Sequence, residues 1–300
     1  MERLLLQCAL LSLIAGRCLA ADAIIDEKGE HLDILRDGKT LVRYMYAFDT
    51  STPEARHETY KVYHHVFDPS GESPITKGPG GKYTHHRGIF IGFARLQHGG
   101  KSHDLWHMKG NCSIIHQKFL EQKADDQSAT VTSLIHWDTD TDKTVLEEIR
   151  TLTVHFTPDA HLLADWTTQL TAVNGDVVLR GDPEHAGIQY RPHNDVSVNK
   201  SAMYTFPKDG IDPLKDKDLP WVTLTYQLDD KTYSVQHMRH PDNPSDSVYS
   251  AYRNYGRFGN YFVKPIADGE TLTLKYRFRI TEGEAPSREQ LNAQYQAFVK

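Results

Sequence analysis

Cysteine is scarce in this 300-residue chain: only Cys8, Cys18 and Cys112 occur, and the first two fall in an apolar leader. The remainder keeps a single thiol, so no intramolecular disulfide can form within it. Its stability must come from a large core, which a chain of this length can supply. Cys112 itself is expected to be a small buried residue rather than a nucleophile. Beyond residue 20 there is no apolar run of about twenty residues, so no membrane span is expected in the mature chain. A basic excess is missing too. The formal net charge of −6 argues against a nucleic-acid partner. Several motifs that would name a chemistry are absent: His-Glu-x-x-His, a Cys/His zinc ribbon, a Gly-x-Ser-x-Gly elbow and a nucleotide-binding glycine loop.

The leader that is present reads as an address. Met1-Glu2-Arg3 is a short charged start, residues 4–16 are mostly apolar, and Cys18 and Ala20 are small residues at the −3 and −1 positions of a cleavage after Ala20. Residues 1–20 are therefore expected to be a secretory signal peptide, with export to the periplasm or beyond. Residues 21–300 read as one β-sandwich domain. Alternating segments recur at 31–36, 41–48, 60–67, 88–93, 112–121, 128–137, 144–156, 161–172, 185–191, 221–228, 231–237 and 271–280. Asp37-Gly38 is a hairpin signal, and Pro158-Asp159 should join two long antiparallel strands. From Thr271 to Ile280 the period is clean, with Leu272, Leu274, Tyr276, Phe278 and Ile280 on one face. Only the end looks helical: Ser287 to Gln290 is a capping box, and Leu291, Tyr295 and Phe298 recur at helical spacing. No repeat or interdomain linker is visible. The expectation is an all-β chain, a large antiparallel sandwich with a short C-terminal helix.

Histidine is the unusual abundance, at 17 residues, and many cluster at strand ends. Tyr83-Thr84-His85-His86-Arg87-Gly88 leads into an apolar strand. If that segment is extended, His85 and Arg87 share one face and His86 takes the other, while Gly88 permits a close backbone approach. In Glu184 to Arg191, strand parity places His185, Gly187, Gln189 and Arg191 on one face. A row of imidazole, amide and guanidinium can read sugar hydroxyls, which need both donors and acceptors. It can equally be a solvated sheet face. Prolines and glycines fix the backbone around His240, Arg253 and Arg257. Within Glu147-Glu148-Ile149-Arg150, Glu148 and Arg150 share a face, and Glu147 is expected in a cross-strand ion pair. The four tryptophans, Trp106 among them, could stack on a sugar ring or fill the core.

Several stretches occur in one order: Pro69-Ser70-Gly71, His85-His86-Arg87-Gly88, Asp104-Leu105-Trp106, Glu148 to Thr151, His185 to Arg191, Pro220-Trp221-Val222, His240 to Pro244, and Arg253-x-Tyr255-Gly256-x-Phe258-Gly259. Together they resemble the bacterial family labelled "methane oxygenase PmoA-like", over roughly residues 30 to 280. The resemblance implies an exported β-sandwich of the galactose-mutarotase-like supersandwich kind, associated with carbohydrate breakdown. Relatives often carry Asp-His-Pro before the paired histidines, where this chain has Gly81-Lys82-Tyr83-Thr84.

Residues and resemblance together lead to an expected enzyme that cleaves a glycosidic bond, in the favoured variant that of a 3-keto-glycoside. Such chemistry needs a base, an enolate stabiliser and an acid for the leaving oxygen. His86 and His185 are the candidate base and acid. Arg87, Arg191 or a divalent metal ion is the candidate stabiliser, and the sequence leaves the cofactor otherwise open. Glu148 is the candidate carboxylate, and His193 and His240 are candidate metal ligands or acid partners. His85, Gln189, Arg191, Arg253 and Trp106 are expected to contact the carbohydrate. The rival readings are a non-catalytic carbohydrate-binding sandwich and a mutarotase or epimerase.

Overall fold

The computed structural model describes residues 23–141 and 143–300. The leader expected at residues 1–20 lies outside the described residues. Period-2 alternation builds the larger strands directly. In Ser128–Asp138, Thr144–His155, Leu162–Ala172 and Thr271–Glu282, every second side chain is buried. Ile135, Trp137, Leu152, Val154, Trp166, Leu170, Phe278 and Ile280 all enter one core. These four strands sit side by side in an eight-stranded antiparallel sheet with Ser113–Ala124 at one edge. Thr271–Glu282 continues to Lys231–Arg239, Trp221–Leu228 and Met203–Thr205 at the other edge. Pro158 and Asp159 lie in the turn between Thr144–His155 and Leu162–Ala172, which pair in register as the alternation requires.

The second sheet has eleven strands. Its central path runs Lys39–Met45, Tyr63–Val66, Ile89–His98, Ala186–Tyr190 and Phe258–Tyr261. Ile89, Ile91 and Phe93, with Ala186, Ile188 and Tyr190 of the neighbouring strand, point into the core shared with the other sheet. Phe90 points the opposite way and packs with Tyr63 and Trp106 in a separate small cluster. These strands are therefore buried on both faces, which explains why their sequences read as apolar runs instead of alternating ones. Loops cover the second face, and the candidate site lies among them.

The C-terminal helix Arg288–Val299 begins with the expected capping box between Ser287 and Gln290. Leu291 is buried against Trp221 and Met238, with Tyr295 and Phe298 alongside. The all-β sandwich with one short C-terminal helix is thus the observed architecture. The sequence pattern missed strands of two to five residues, such as Lys101–Leu105, Val177–Leu179 and Phe258–Tyr261. Segments that short carry too few residues for a period to register. It also missed the helix Pro53–Thr59, although Thr52 caps it and Pro53 occupies its first turn.

Candidate active site

Residues 83–87 are not extended. Tyr83 has φ 58°, and the His86 N–H bonds back to the Tyr83 carbonyl at 2.9 Å, which makes a turn. The strand parity expected here therefore fails. The rings of His85 and His86 converge, with centroids 4.4 Å apart, while Arg87 swings beneath the turn. Its guanidinium donates to the carbonyls of Thr84, His86 and His57 and lies over Tyr60 and Tyr63. Arg87 clamps the loop; it does not line the cleft. Gly88 does permit close approach, because a Cβ there would meet the His64 carbonyl at 2.1 Å.

Two further loops complete the cluster. His107 follows Lys101–Leu105, and its Nδ1 lies 2.9 Å from Asp104 Oδ2. Asp104 Oδ1 also accepts the backbone N–H groups of Trp106 and His107, so this carboxylate is itself held. His185 precedes Ala186–Tyr190, and its Nδ1 lies 2.8 Å from Asp182 Oδ1. A carboxylate only accepts, so each Nδ1 carries a proton. The rings form a chain: His86 to His85 at 4.4 Å, His85 to His107 at 4.4 Å, and His107 to His185 at 5.1 Å. Burial, then repulsion from Lys61, His107 and His185, pushes His85 down to about 2. Burial and Arg257 hold His86 far below its usual range, so both rings are neutral.

A cleft of about 220 Å³ opens beside these rings. His85, His86 and His185 line it together with Glu184, Arg253, Arg257, Tyr83 and Tyr255. The two tyrosine rings lie 5.5 Å apart, and Tyr83 is 39% exposed. Arg253 pairs with Glu184 at 2.5 Å. Arg257 donates to the Glu184 carbonyl, and its Nε lies 3.4 Å from the Tyr255 hydroxyl.

Gln189 and Arg191 do share the loop-covered face, as parity required, but both are fully buried. Gln189 Oε1 accepts from Ser250 at 3.1 Å and faces Arg257 Nη1 at 3.4 Å. Arg191 donates to the carbonyls of Pro192 and Tyr255 and lies 5.0 Å from the Tyr255 ring centroid. Burial lowers its pKa to about 10. Trp106 is also fully buried, packed on Phe90 at 4.6 Å with its edge towards His86 and His185. It is a floor beneath the histidines and offers no open stacking face.

Three expected residues lie apart from the cleft. Glu148 faces the core between the sheets, where it accepts from Arg150 at 2.7 and 2.9 Å, Trp137 at 2.8 Å and Thr168 at 2.5 Å. His240 sits against Phe298 of the C-terminal helix and 3.2 Å from Asp242. His193 pairs with Asp195 at 3.3 Å and lines a different cavity, of about 350 Å³. Among the described residues, no three His, Cys, Asp or Glu side chains are grouped as metal ligands. Conversely, Asp104, His107, Asp182, Glu184, Tyr255 and Arg257 were not singled out as site residues. One signal was available for three of them: Asp-x-x-His occurs at both Asp104–His107 and Asp182–His185.

Residues 31–296 match the family described as "Family of unknown function (DUF6807)". The chain belongs to that family. No curated protein matches it. Among solved structures it is similar to a mutant of heparan sulfate lyase HepC from Pedobacter heparinus, at 10% identity and TM-score 0.40, covering 87% of this chain and 37% of that one. It spans little more than a third of that lyase. It is also similar to the Slr1438 protein from Synechocystis sp. PCC 6803, at 10% identity and TM-score 0.42, covering 86% and 97% of the two chains. A GalM/aldose epimerase homologue from C. elegans aligns at 7% identity and TM-score 0.37, covering 87% and 98%.

Proposed function

We propose that this DUF6807 member is an exported carbohydrate-active enzyme that cleaves a glycosidic bond beside a carbonyl, as in a 3-keto-glycoside. One observation carries the reading: two histidines, each backed by its own aspartate, bring their rings to 5.1 Å, and one of them, His185, lines an open cleft. β-Elimination from a 3-keto-glycoside breaks the C2–H and C1–O bonds. A base takes the C2 proton, the electron pair forms C1=C2, and the leaving oxygen takes a proton from an acid. Base and acid must therefore stand a few ångströms apart and exchange roles, which a pair of carboxylate-oriented imidazoles can do.

His185 lines the cleft and is assigned as base through its free Nε2. His107, behind it, is assigned as acid, its imidazolium stabilised by Asp104. Arg253 supplies positive charge for the enolate oxygen, and Tyr83 and Tyr255 offer faces to the ring. Addition of water across C1=C2 would complete a net hydrolysis.

The test is incubation of the purified protein with an aryl 3-keto-glucoside while phenol release is followed. Release that is lost in folded His185→Ala and His107→Ala variants supports the proposal. A changed anomer ratio without release would replace it with a mutarotase. Saturable sugar binding with neither outcome would replace it with a binding protein.

A further inference from the structure

The cleft and the residues around it hold more positive charge than their neighbours balance. Arg87, Arg191 and Arg257 are at most 1% exposed. Among the described residues, none of the three has a carboxylate within the 4.0 Å of an ion pair. Glu184 is the one carboxylate among the described residues lining the cleft, and it already pairs with Arg253. Two nearby lysines lose charge in these surroundings. Burial, then repulsion from Arg87, pushes the Lys61 ammonium far down and brings Lys77 to about 7.

The three arginines differ in what their nitrogens do. Both terminal nitrogens of Arg87 donate to backbone carbonyls, so its role is structural. Arg257 lines the cleft, and its Nη2 has no hydrogen-bond partner. Behind it, Arg191 leaves both Nε and Nη2 without partners. Burying guanidinium groups side by side without a counter-charge is costly, and a fold tolerates it where a ligand supplies the missing charge. Sugar hydroxyls could accept from these donors but would leave the charge uncompensated.

We infer that the cleft takes a sugar bearing an anionic group, a carboxylate or a sulfate ester, and that Arg257, backed by Arg191, binds that group. The unpartnered Nη2 of Arg257 carries two N–H groups that can donate to the oxygens of either anion, and the anion supplies the counter-charge that a hydroxyl cannot. This inference rests on the proposal that the cleft is the sugar-cleaving centre, and it narrows the substrate to acidic sugars.

Isothermal titration calorimetry on the full chain, with D-glucuronate, D-glucose 6-sulfate and D-glucose as probes, tests it. At least one acidic sugar should bind about tenfold or more tighter than glucose, and which one does so separates carboxylate from sulfate. The preference should shrink at about 0.5 M salt, disappear in Arg257→Met and return in part in Arg257→Lys. Equal affinities, no binding of any probe, or a preference that survives in folded Arg257→Met would overturn the inference. If Arg257→Met does not fold, the glucose comparison and the salt dependence of the unaltered chain still decide it. The two proposals can fail separately. Cleavage of a neutral keto-glycoside without anion preference removes only this inference. Anion binding lost in Arg257→Met, with no glycoside cleaved, removes only the assigned reaction.

Discussion

The imidazole rings of His107 and His185 lie 5.1 Å apart, and each is gripped at Nδ1 by the aspartate three residues before it. Two separate loops thus present the same local device to one point, above the floor made by Trp106. Each aspartate fixes the tautomer of its ring and stabilises the imidazolium that proton transfer creates.

Removing that charge while keeping the shape isolates its role. Asp182→Asn and Asp104→Asn should each lower turnover of a keto-glycoside about 10- to 100-fold with little change in KM. His185→Ala should cost about 10²- to 10⁴-fold. Steady-state kinetics on variants with unchanged circular dichroism checks this. Wild-type turnover in both asparagine variants would remove the acid–base assignment.

Glu148 serves the core. It is fully buried, with both oxygens held by Arg150, Trp137 and Thr168. Glu148→Gln leaves the buried Arg150 guanidinium, which lies 4.5 Å from the Trp166 ring, without its counter-charge. Breaking such a pair from one side costs about 3–5 kcal/mol. Urea unfolding should show that loss, and the protein that remains folded should keep its turnover per molecule. A large fall in turnover at unchanged stability would return Glu148 to the chemistry.

The architecture was legible because alternation survives wherever one strand face is wetter than the other, as in Thr271–Glu282. Site placement was legible only in part. Parity correctly sent Gln189 and Arg191 away from the shared core, since they lie on or just beyond a regular strand. It failed for His85, His86 and Arg87, because the positive φ of Tyr83 turns the chain there and a face rule has no meaning in a turn. For Glu148, parity with Arg150 was right but could not say which face was the core. The repeated Asp-x-x-His spacing was not read, although it is independent of strand geometry because the bond it makes is local and needs no register.

Gly187 tests the strand that aims His185. Its φ is 83°, and a Cβ there would meet the Asn260 carbonyl at 1.9 Å. Neither strain nor clash can relax without parting Ala186–Tyr190 from Phe258–Tyr261, whose pairing carries Gln189 opposite Gly259. Gly187→Ala should therefore destabilise the fold by more than the roughly 1 kcal/mol of an ordinary glycine-to-alanine strain and displace His185. Thermal unfolding together with turnover reads both effects. A variant with unchanged stability would show that this pairing does not constrain the strand.

Acid sensitivity should come from histidines that fold neutral. His237 is fully buried, stacked on Phe278 at 4.5 Å, and neither ring nitrogen has a partner. Burial pushes it down to about 3, and burial followed by Arg43 and Arg87 takes His65 down to about 4. Unfolded histidines titrate near 6.5, so below that pH the unfolded chain binds more protons than the native one. Stability contributed by these groups is complete above about pH 6.5 and is lost as pH falls towards 4 and 3. Each histidine steepens the loss by about 1 kcal/mol per pH unit. His237→Phe replaces the ring with one that cannot be protonated, at a site already lined by Tyr249, Phe258 and Tyr276. Urea midpoints measured from pH 7 to 4.5 should fall less steeply in that variant, by about the slope of one proton. Parallel curves for the two proteins would mean that His237 is charged in the native core.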